Sequence, residues 1–388
     1  MNFNLNEEQV QFADALKRWI GRDYSFEQRR AIIATPEGSS SQAWATLVEL
    51  GMTALPVPEE QGGFGGGASD MFVVMRELGR GLVVEPYLAT VLGAQFLKLG
   101  GGHGALLEAV ATGELKLACA LGERQSRHDL RDITTQATRA THAASAGRDG
   151  EGWRLDGEKK VVIHGAEAGV LIVSARTGGA QRDEDGITLF AVPADAPGVR
   201  LTGYRGLDGL RAADLRLDGV VLPPEAVIGQ AGAGWDILEH GADYGAGLLC
   251  FEALGAMEAL FDSTLDYLKT RQQFGVPIGK FQALQHRMAD MYIHLEQARS
   301  MALLAAVKLD GGDAAERRRT VSAAKFRVGE AARFIGQQAV QLHGGMGVTD
   351  ELAAAHYFKR LSMIELTLGD RDHHLARFVA QPGFQEAA

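Results

Sequence analysis

The chain has 388 residues, 46% hydrophobic and 23% charged, with a formal net charge of −10. That length allows two or three domains around a large core, and the acidic balance argues against nucleic acid as a general partner. The two cysteines, Cys119 and Cys250, lie far apart and give neither a disulfide framework nor a zinc pattern, as a reducing compartment would favour.

Met1 to Leu5 has no basic segment followed by an apolar run, and no stretch of about 18 apolar residues stands out, so a cytoplasmic protein without membrane insertion is expected. Asn6 followed by Glu7 and Glu8 reads as a helix start, with Val10, Ala13, Leu16 and Ile20 as its buried stripe. Further helices are predicted over 41–50, 69–82, 88–98 and 105–112. The loop 55–67 is rich in glycine, which permits positive φ, but no complete G-x-G-x-x-G occurs there or elsewhere. From Lys116 the pattern turns to strands, at 117–121, 170–174, 187–192 and 213–221. The stretch 153–163 reads as a hairpin turning at Asp156-Gly157. Short strands with turn signals between them point to a small sandwich or barrel rather than βαβ units. From Gly234 long apolar-periodic runs cover 235–270, 281–310 and 314–343. Gly344-Gly345 ends the third run as a glycine C-cap would, and a last helix covers 351–379. The fold class is α+β, mainly α: an N-terminal helical domain (1–116), a central small β-barrel or sandwich (117–229) and a C-terminal four-helix bundle (230–388).

One stretch carries chemistry. In Thr270-Arg271-Gln272-Gln273-Phe274-Gly275-Val276-Pro277 an arginine ends a helix, an aromatic stands three residues on, and a Gly/Pro turn follows. The guanidinium is a rigid fork of donors suited to phosphate. A basic helix terminus that suits the macrodipole is the plainer reading. Asp370-Arg371-Asp372-His373-His374 has the residue types of a metal cluster, but adjacent histidines point to different helix faces, and no metal is expected. Arg317-Arg318-Arg319 reads as a solvated helix start.

Four stretches together carry a resemblance: LGMTALPVPEEQGGFGG (50–66), ADLRLDGVVLPPEAVIG (213–229), TRQQFGVPIGKFQALQHRMADM (270–291) and QQAVQLHGGMG (337–347). In order and spacing, across nearly the whole chain, they resemble the flavin-dependent acyl-CoA dehydrogenases. The resemblance implies a three-domain subunit in a dimer of dimers, with FAD between the β domain of one subunit and the bundle of its neighbour. It implies α,β-dehydrogenation of an acyl-CoA thioester, with electrons passing to an electron-transfer flavoprotein. It carries Arg271 to the FAD pyrophosphate with Gln273 and Phe274 beside it, and Gln341, Gly344 and Gly345 to the adenosine diphosphate end.

The chain departs from that pattern where the chemistry lies. The family's usual glutamate base falls on Leu368, and the alternative place on the first bundle helix is Gly245. Glu365, Asp370 and Asp243 are the nearby acids that offer a substitute base, and each reads first as a solvated or cap-forming residue. The family's ring-lining run in the β domain is here Gly122-Glu123-Arg124-Gln125-Ser126-Arg127-His128-Asp129. Its Trp-Ile-Thr-Asn stretch is Val161-Val162-Ile163-His164, so Ile163 stands where a threonine would bond flavin N5. A chain that keeps the phosphate-facing bundle residues and loses the ring-facing ones is similar to the small subunit of a heteromeric, pimeloyl-CoA-dehydrogenase-like or sterol side-chain enzyme. The alternatives are an autonomous homotetrameric dehydrogenase with a displaced acid, another flavin chemistry on the same fold, and a non-enzymatic assembly subunit without flavin.

Overall fold

Asn6 starts the first helix, α1 (Glu7–Asp23). Its side chain accepts from the Gln9 N–H at 2.8 Å, and the Gln9 side chain accepts from the Asn6 N–H at 3.0 Å, a reciprocal cap. The buried stripe runs through Ala13, Leu16 and Trp19, whereas Val10 is 43% exposed, so the inward face is rotated from the one expected. The computed structural model describes residues 5–143 and 149–381. Met1 to Asn4, read above for the lack of a leader, lie outside the described residues, as do 144–148 and 382–388 within the expected β domain and bundle. In chain order an N-terminal helical region is followed by a β-sheet region and a C-terminal helical region.

The described chain separates into two compact units, each assembled from non-consecutive segments. One comprises 32–66 and 84–244. It holds helices α3 (Ser41–Glu49), α5 (Tyr87–Gly100) and α6 (Gly104–Ala111), and the strands β1 (Leu117–Ala120), β2 (Gln136–Ala143), β3 (Asp149–Ile163), β4 (Val170–Arg176), β5 (Ile187–Pro193), β6 (Val199–Arg205), β7 (Arg211–Leu222) and β8 (Val227–Ile228). The strands form one mixed sheet in the order β6-β7-β3-β2-β4-β5-β8, with β1 parallel to β4. Strands β3 and β5 are separated by two others, about 14 Å in a flat sheet. Yet the Trp153 and Phe190 rings meet with centroids 5.7 Å apart. The sheet therefore curls around a core of Trp153, Leu155, Phe190, Val192, Leu215 and Leu217. The hairpin expected over 153–163 is instead the continuous strand β3. Its register shifts between Leu155 and Gly157, so Asp156-Gly157 is a bulge and not a turn. Gly157 is required there: φ is +155°, and a Cβ would lie 2.6 Å from Thr135 Oγ1.

The other unit comprises 1–31, 67–83 and 245–388. It contains α1, most of α2 (Phe26–Ala34), α4 (Ala68–Arg80), the greater part of α7 (Trp235–Thr270), α8 (Gln282–Lys308), α9 (Ala314–His343), α10 (Ala353–Leu366) and α11 (Arg371–Val379). Helix α2 is not among the expected helices; the polar run Glu27 to Arg30 interrupts its apolar pattern. It carries Arg29, fully buried, whose Nε donates to the Leu82 carbonyl at 2.7 Å and whose NH1 lies 3.0 Å from His356 Nδ1. Helices α4 and α7 cross closely, since a Cβ at Gly79 would lie 2.0 Å from the Glu252 carbonyl oxygen. Contrary to the sequence reading, α7 is long and apolar enough by length and composition to cross a membrane. Its apolar window is, however, 89% buried within the protein, as in a core helix. The single last helix expected over 351–379 is two, α10 and α11, broken between Leu366 and Arg371.

Candidate functional site

Helix α7 ends at Thr270. The Arg271 N–H still donates to the Tyr267 carbonyl at 2.8 Å, and the Arg271 carbonyl accepts from Ile278 N–H at 2.8 Å. Between them β9 (Gln272–Gln273) and β10 (Val276–Pro277) form a miniature antiparallel hairpin. Its two turn residues, Phe274 at φ +55° and Gly275 at φ +80°, both lie in the left-handed region, as a primed turn requires. For an aromatic residue that conformation is an outlier, and Phe274 is also 90% exposed, its ring edge-on to Phe281 with centroids 6.0 Å apart. Arg271 and Gln273 are exposed, with no side-chain partner among the described residues.

Helix α9 ends one ring contact away. Tyr267, one turn before Arg271, lies against His343 with centroids 4.5 Å apart, and His343 is the last residue of α9. Gly344 follows as its cap at φ +62°. Gly345 has no positive φ, and a Cβ there would meet nothing within 4 Å. Among the described residues nothing demands a glycine at 345. Gln341, Gly344 and Gly345 are exposed. Arg271, Gln273, Phe274, Gln341, Gly344 and Gly345 are thus brought to one end of the bundle. Two helix C-termini meet there and their carbonyls carry partial negative charge, so an anion at this end depends on the Arg271 guanidinium.

The break between α10 and α11 holds Leu368 at φ +55° and Gly369 at φ +106°. It is closed by Lys325 of α9, whose buried ammonium donates to the carbonyls of Ile364 (2.9 Å), Glu365 (3.0 Å) and Gly369 (2.8 Å). Burial pushes Lys325 down to about 8, against the upward pull of Cys250, Glu365 and Asp370. Below it, His374 Nε2 donates to the Leu368 carbonyl at 2.9 Å. That fixes Nδ1 as a buried acceptor with no hydrogen-bond partner. Burial first, then Lys325 and His373, hold this imidazole well below its ordinary range. The acids suggested by sequence are engaged as caps: Glu365 Oε1 accepts from the Arg371 N–H at 3.2 Å, and Asp370 Oδ1 from the His373 N–H at 2.8 Å. Asp243 is buried in the part of α7 that belongs to the other unit.

In the sheet unit Glu123 is committed to structure. Its carboxylate accepts from Lys159 Nζ (2.8 Å), the Thr134 N–H (2.7 Å), Thr135 Oγ1 (2.7 Å) and Gln125 Nε2 (2.9 Å). Burial alone would raise its pKa, but the Lys159 charge and these bonds bring it to about 2. At the end of β3, Val161 is exposed at φ +55°, Ile163 packs against Ile33, Val84 and Leu210, and His164 lies beside Glu167.

Residues 6–114, 118–220 and 232–381 match, in turn, the N-terminal, middle and C-terminal domain families of acyl-CoA dehydrogenase. The mitochondrial short-chain specific acyl-CoA dehydrogenase of Rattus norvegicus is 30% identical over 331 residues, covering 83% of this chain and 77% of that protein. The chain belongs to the acyl-CoA dehydrogenase family. Among solved structures, the ChsE4-ChsE5 complex from Mycobacterium tuberculosis superposes with a TM-score of 0.86 at 26% identity over 97% of each chain. The Tcur3481-Tcur3483 steroid ACAD superposes with a TM-score of 0.86 at 28% identity over 98% of this chain and 99% of that one.

Within this acyl-CoA dehydrogenase framework the two halves of an FAD site fare differently. The bundle end fits a phosphate-bearing cofactor, since it offers the guanidinium of Arg271, unengaged among the described residues, at the same end as Gly345, where a Cβ would meet nothing. The β3 end does not fit a flavin ring bonded at N5 by a side-chain hydroxyl, because the Ile163 side chain has no donor and is turned into an apolar cluster. Sequence reasoning missed Lys325. Its signal was available: Val321, Ala324, Lys325 and Val328 share one buried helical face, where an unpaired lysine needs an explanation.

Proposed function

We propose that this chain is an FAD-dependent oxidoreductase subunit that serves α,β-dehydrogenation of an acyl-CoA thioester. We propose further that it is the small subunit of a hetero-tetramer, lending its bundle to the FAD site of a partner. The observation that carries the reading is the split just described. Among the described residues Arg271 and Gly345 stand open without a partner, while Leu368 falls at the family's base position and Ile163 at its ring-facing one. The neighbours ChsE4-ChsE5 and Tcur3481-Tcur3483, each named for two proteins, support it.

Bound FAD supplies the hydride acceptor of the reaction. Arg271 would hold the pyrophosphate with its fork of donors, with Gln273 and Phe274 nearby, and Gly344 and Gly345 would let the backbone approach the adenosine diphosphate end. The three-segment division at 116 and 229, the transfer of electrons to an electron-transfer flavoprotein and a cytoplasmic location go with this reading. An autonomous enzyme using Glu365 is disfavoured, because that carboxylate caps α11. The test is the FAD-to-subunit ratio of the chain purified alone and with a co-purifying dehydrogenase-family partner. One FAD per pair, and none on the chain alone, is the expected result. One FAD per subunit and turnover of acyl-CoA by the chain alone would sink the proposal.

A further inference from the structure

The run Asp370-Arg371-Asp372-His373-His374 has no part in the proposed function, and the fold sets its two histidines at a hinge. Gly369, at φ +106°, lies so close to both rings that a Cβ there would be 2.6 Å from His373 Cδ2 and 2.6 Å from His374 Nε2. The rings meet edge-on with centroids 5.1 Å apart. His374 is 2% exposed. Its Nε2 donates to the Leu368 carbonyl, so the neutral ring carries its lone pair on Nδ1. No donor meets that lone pair among the described residues, and the atom is shut off from solvent. The next carbonyl, that of Gly369, is taken by the Lys325 ammonium. A neutral imidazole and a cation thus hold consecutive carbonyls of one break. Between them Leu368 is kept at φ +55°, a conformation that a leucine holds only where its surroundings impose it.

A second proton on this ring must go to Nδ1. There it makes a buried donor with nothing to receive it, on a cation beside Lys325. The charges that reach the ring are Lys325 from α9 and His373 and Arg377 from its own helix, and all of them oppose a further positive charge. The carboxylates at the break are engaged elsewhere. Glu365 of α10 and Asp370 accept from main-chain N–H groups of α11, and both, with Cys250 of α7, act on Lys325. Arg371 and Asp372 pair with each other at 3.4 Å. The ring therefore takes the proton only by leaving its place, which gives up the Leu368 bond and releases the strained backbone.

We propose that the α10–α11 break is an acid-released latch: protonation of His374 expels its ring, breaks the bond to Leu368 and lets residues 367–374 come away from α9. The closed ring is held below the ordinary histidine value of 6.5, so the latch is fully stable above that value and weakens as pH falls through it. Opening takes up one proton, and the open fraction rises about 10-fold for each unit of pH below that point. The latch governs the segment that carries Leu368, and it rests on neither the acyl-CoA chemistry nor the small-subunit reading.

Hydrogen exchange of the full chain from pH 7 to pH 5, read by mass spectrometry and corrected for the intrinsic pH dependence of exchange, tests it. Protection of 367–374 should fall about 30-fold over that range, the equivalent of one proton over 1.5 units below 6.5, while α4 and α8 keep theirs. Glutamine places its amide nitrogen where Nε2 stands and does not titrate. His374→Gln should therefore keep the break closed with protection that does not change with pH, and His373→Gln should keep the native response. Proton NMR of the ring C–H signals needs no variant, and should find the His374 ring of the closed latch uncharged at pH 6. Protection of 367–374 that stays flat from pH 7 to pH 5, an equal fall in His374→Gln, or a fall shared equally by α4 and α8 would each overturn the proposal. So would a His374 ring that is charged at pH 6 while the break stays protected.

Discussion

Replacing Lys325 with methionine removes both a buried charge and the group that closes the α10–α11 break, and the two effects separate by pH. In the folded chain the ammonium has a pKa of about 8, against the 10.5 of an ordinary lysine. The folded value is the lower one, so between these limits the unfolded chain binds more protons and stability rises with pH. A difference of about 2.5 units corresponds to ~3.4 kcal/mol. That cost is present in full below pH 8 and is relieved as pH climbs toward 10.5. Lys325→Met has no such titration, but it leaves the Ile364, Glu365 and Gly369 carbonyls without their donor. Bonds to a charged donor are worth about 1.5–3 kcal/mol each, so at pH 7 the three lost bonds outweigh the relieved burial. The variant should be only a few kcal/mol less stable there. The decisive quantity is the change with pH: the gap between native and variant should widen by ~2–3 kcal/mol from pH 7 to pH 10. Urea denaturation of both proteins at the two pH values measures it. Parallel behaviour of the two proteins would refute the account of Lys325 as a charge held against its burial cost.

Glu123→Gln should lower the melting temperature at neutral pH, because Lys159 is left buried without its charge partner, a loss on the order of 3–5 kcal/mol. The native chain holds Glu123 at about 2, below its ordinary 4.5, so it should lose stability as pH falls from 4.5 toward 2, and calorimetry should find that acid sensitivity reduced in the variant. Arg271→Lys keeps the charge but loses the fork, and FAD affinity of the assembled pair should fall about 10-fold, with the melting temperature of the free chain unchanged. Gly345→Ala meets no neighbour in this chain and should alter its stability by less than about 0.5 kcal/mol. A loss of FAD from the assembled pair in that variant, read by flavin absorbance, would locate the reason for the glycine outside the chain.

The parts of the fold that follow local rules were legible in the sequence. The Asn6 cap, the helices around 41–50 and 69–82 and the Gly344 stop depend on residues within a turn of one another. Those that failed depend on distant partners. Asp156-Gly157 reads as a turn until Thr135 is found packed against it, leaving only a bulge. Thr367 to Asp370 contains no proline, and what breaks the helix there is anchored by Lys325, 44 residues before Gly369. Helix α2 buries Arg29 against groups distant in sequence, which no local pattern reveals. For the candidate site, Arg271, Gln341 and Gly345 were named from motifs, and they stand exposed at one end of the bundle. The commitment of Glu365, Asp370 and Glu123 to capping and ion pairing emerged only with coordinates.

The partition of the chain into interleaved segments has a consequence for its synthesis. Arg29 and His356, which bond in the finished protein, are 327 residues apart. At about 5–20 residues per second the ribosome needs roughly 16 to 65 s to connect them. During that interval 32–66 and 84–244 are complete and free to fold, whereas 1–31 and 67–83 await 245–388. The apolar face of α4, with Met71, Phe72, Met75 and Leu78, emerges early and is covered late. The nascent chain thus carries an exposed hydrophobic helix for tens of seconds, which makes α4 the segment where chaperone binding or aggregation during translation should concentrate.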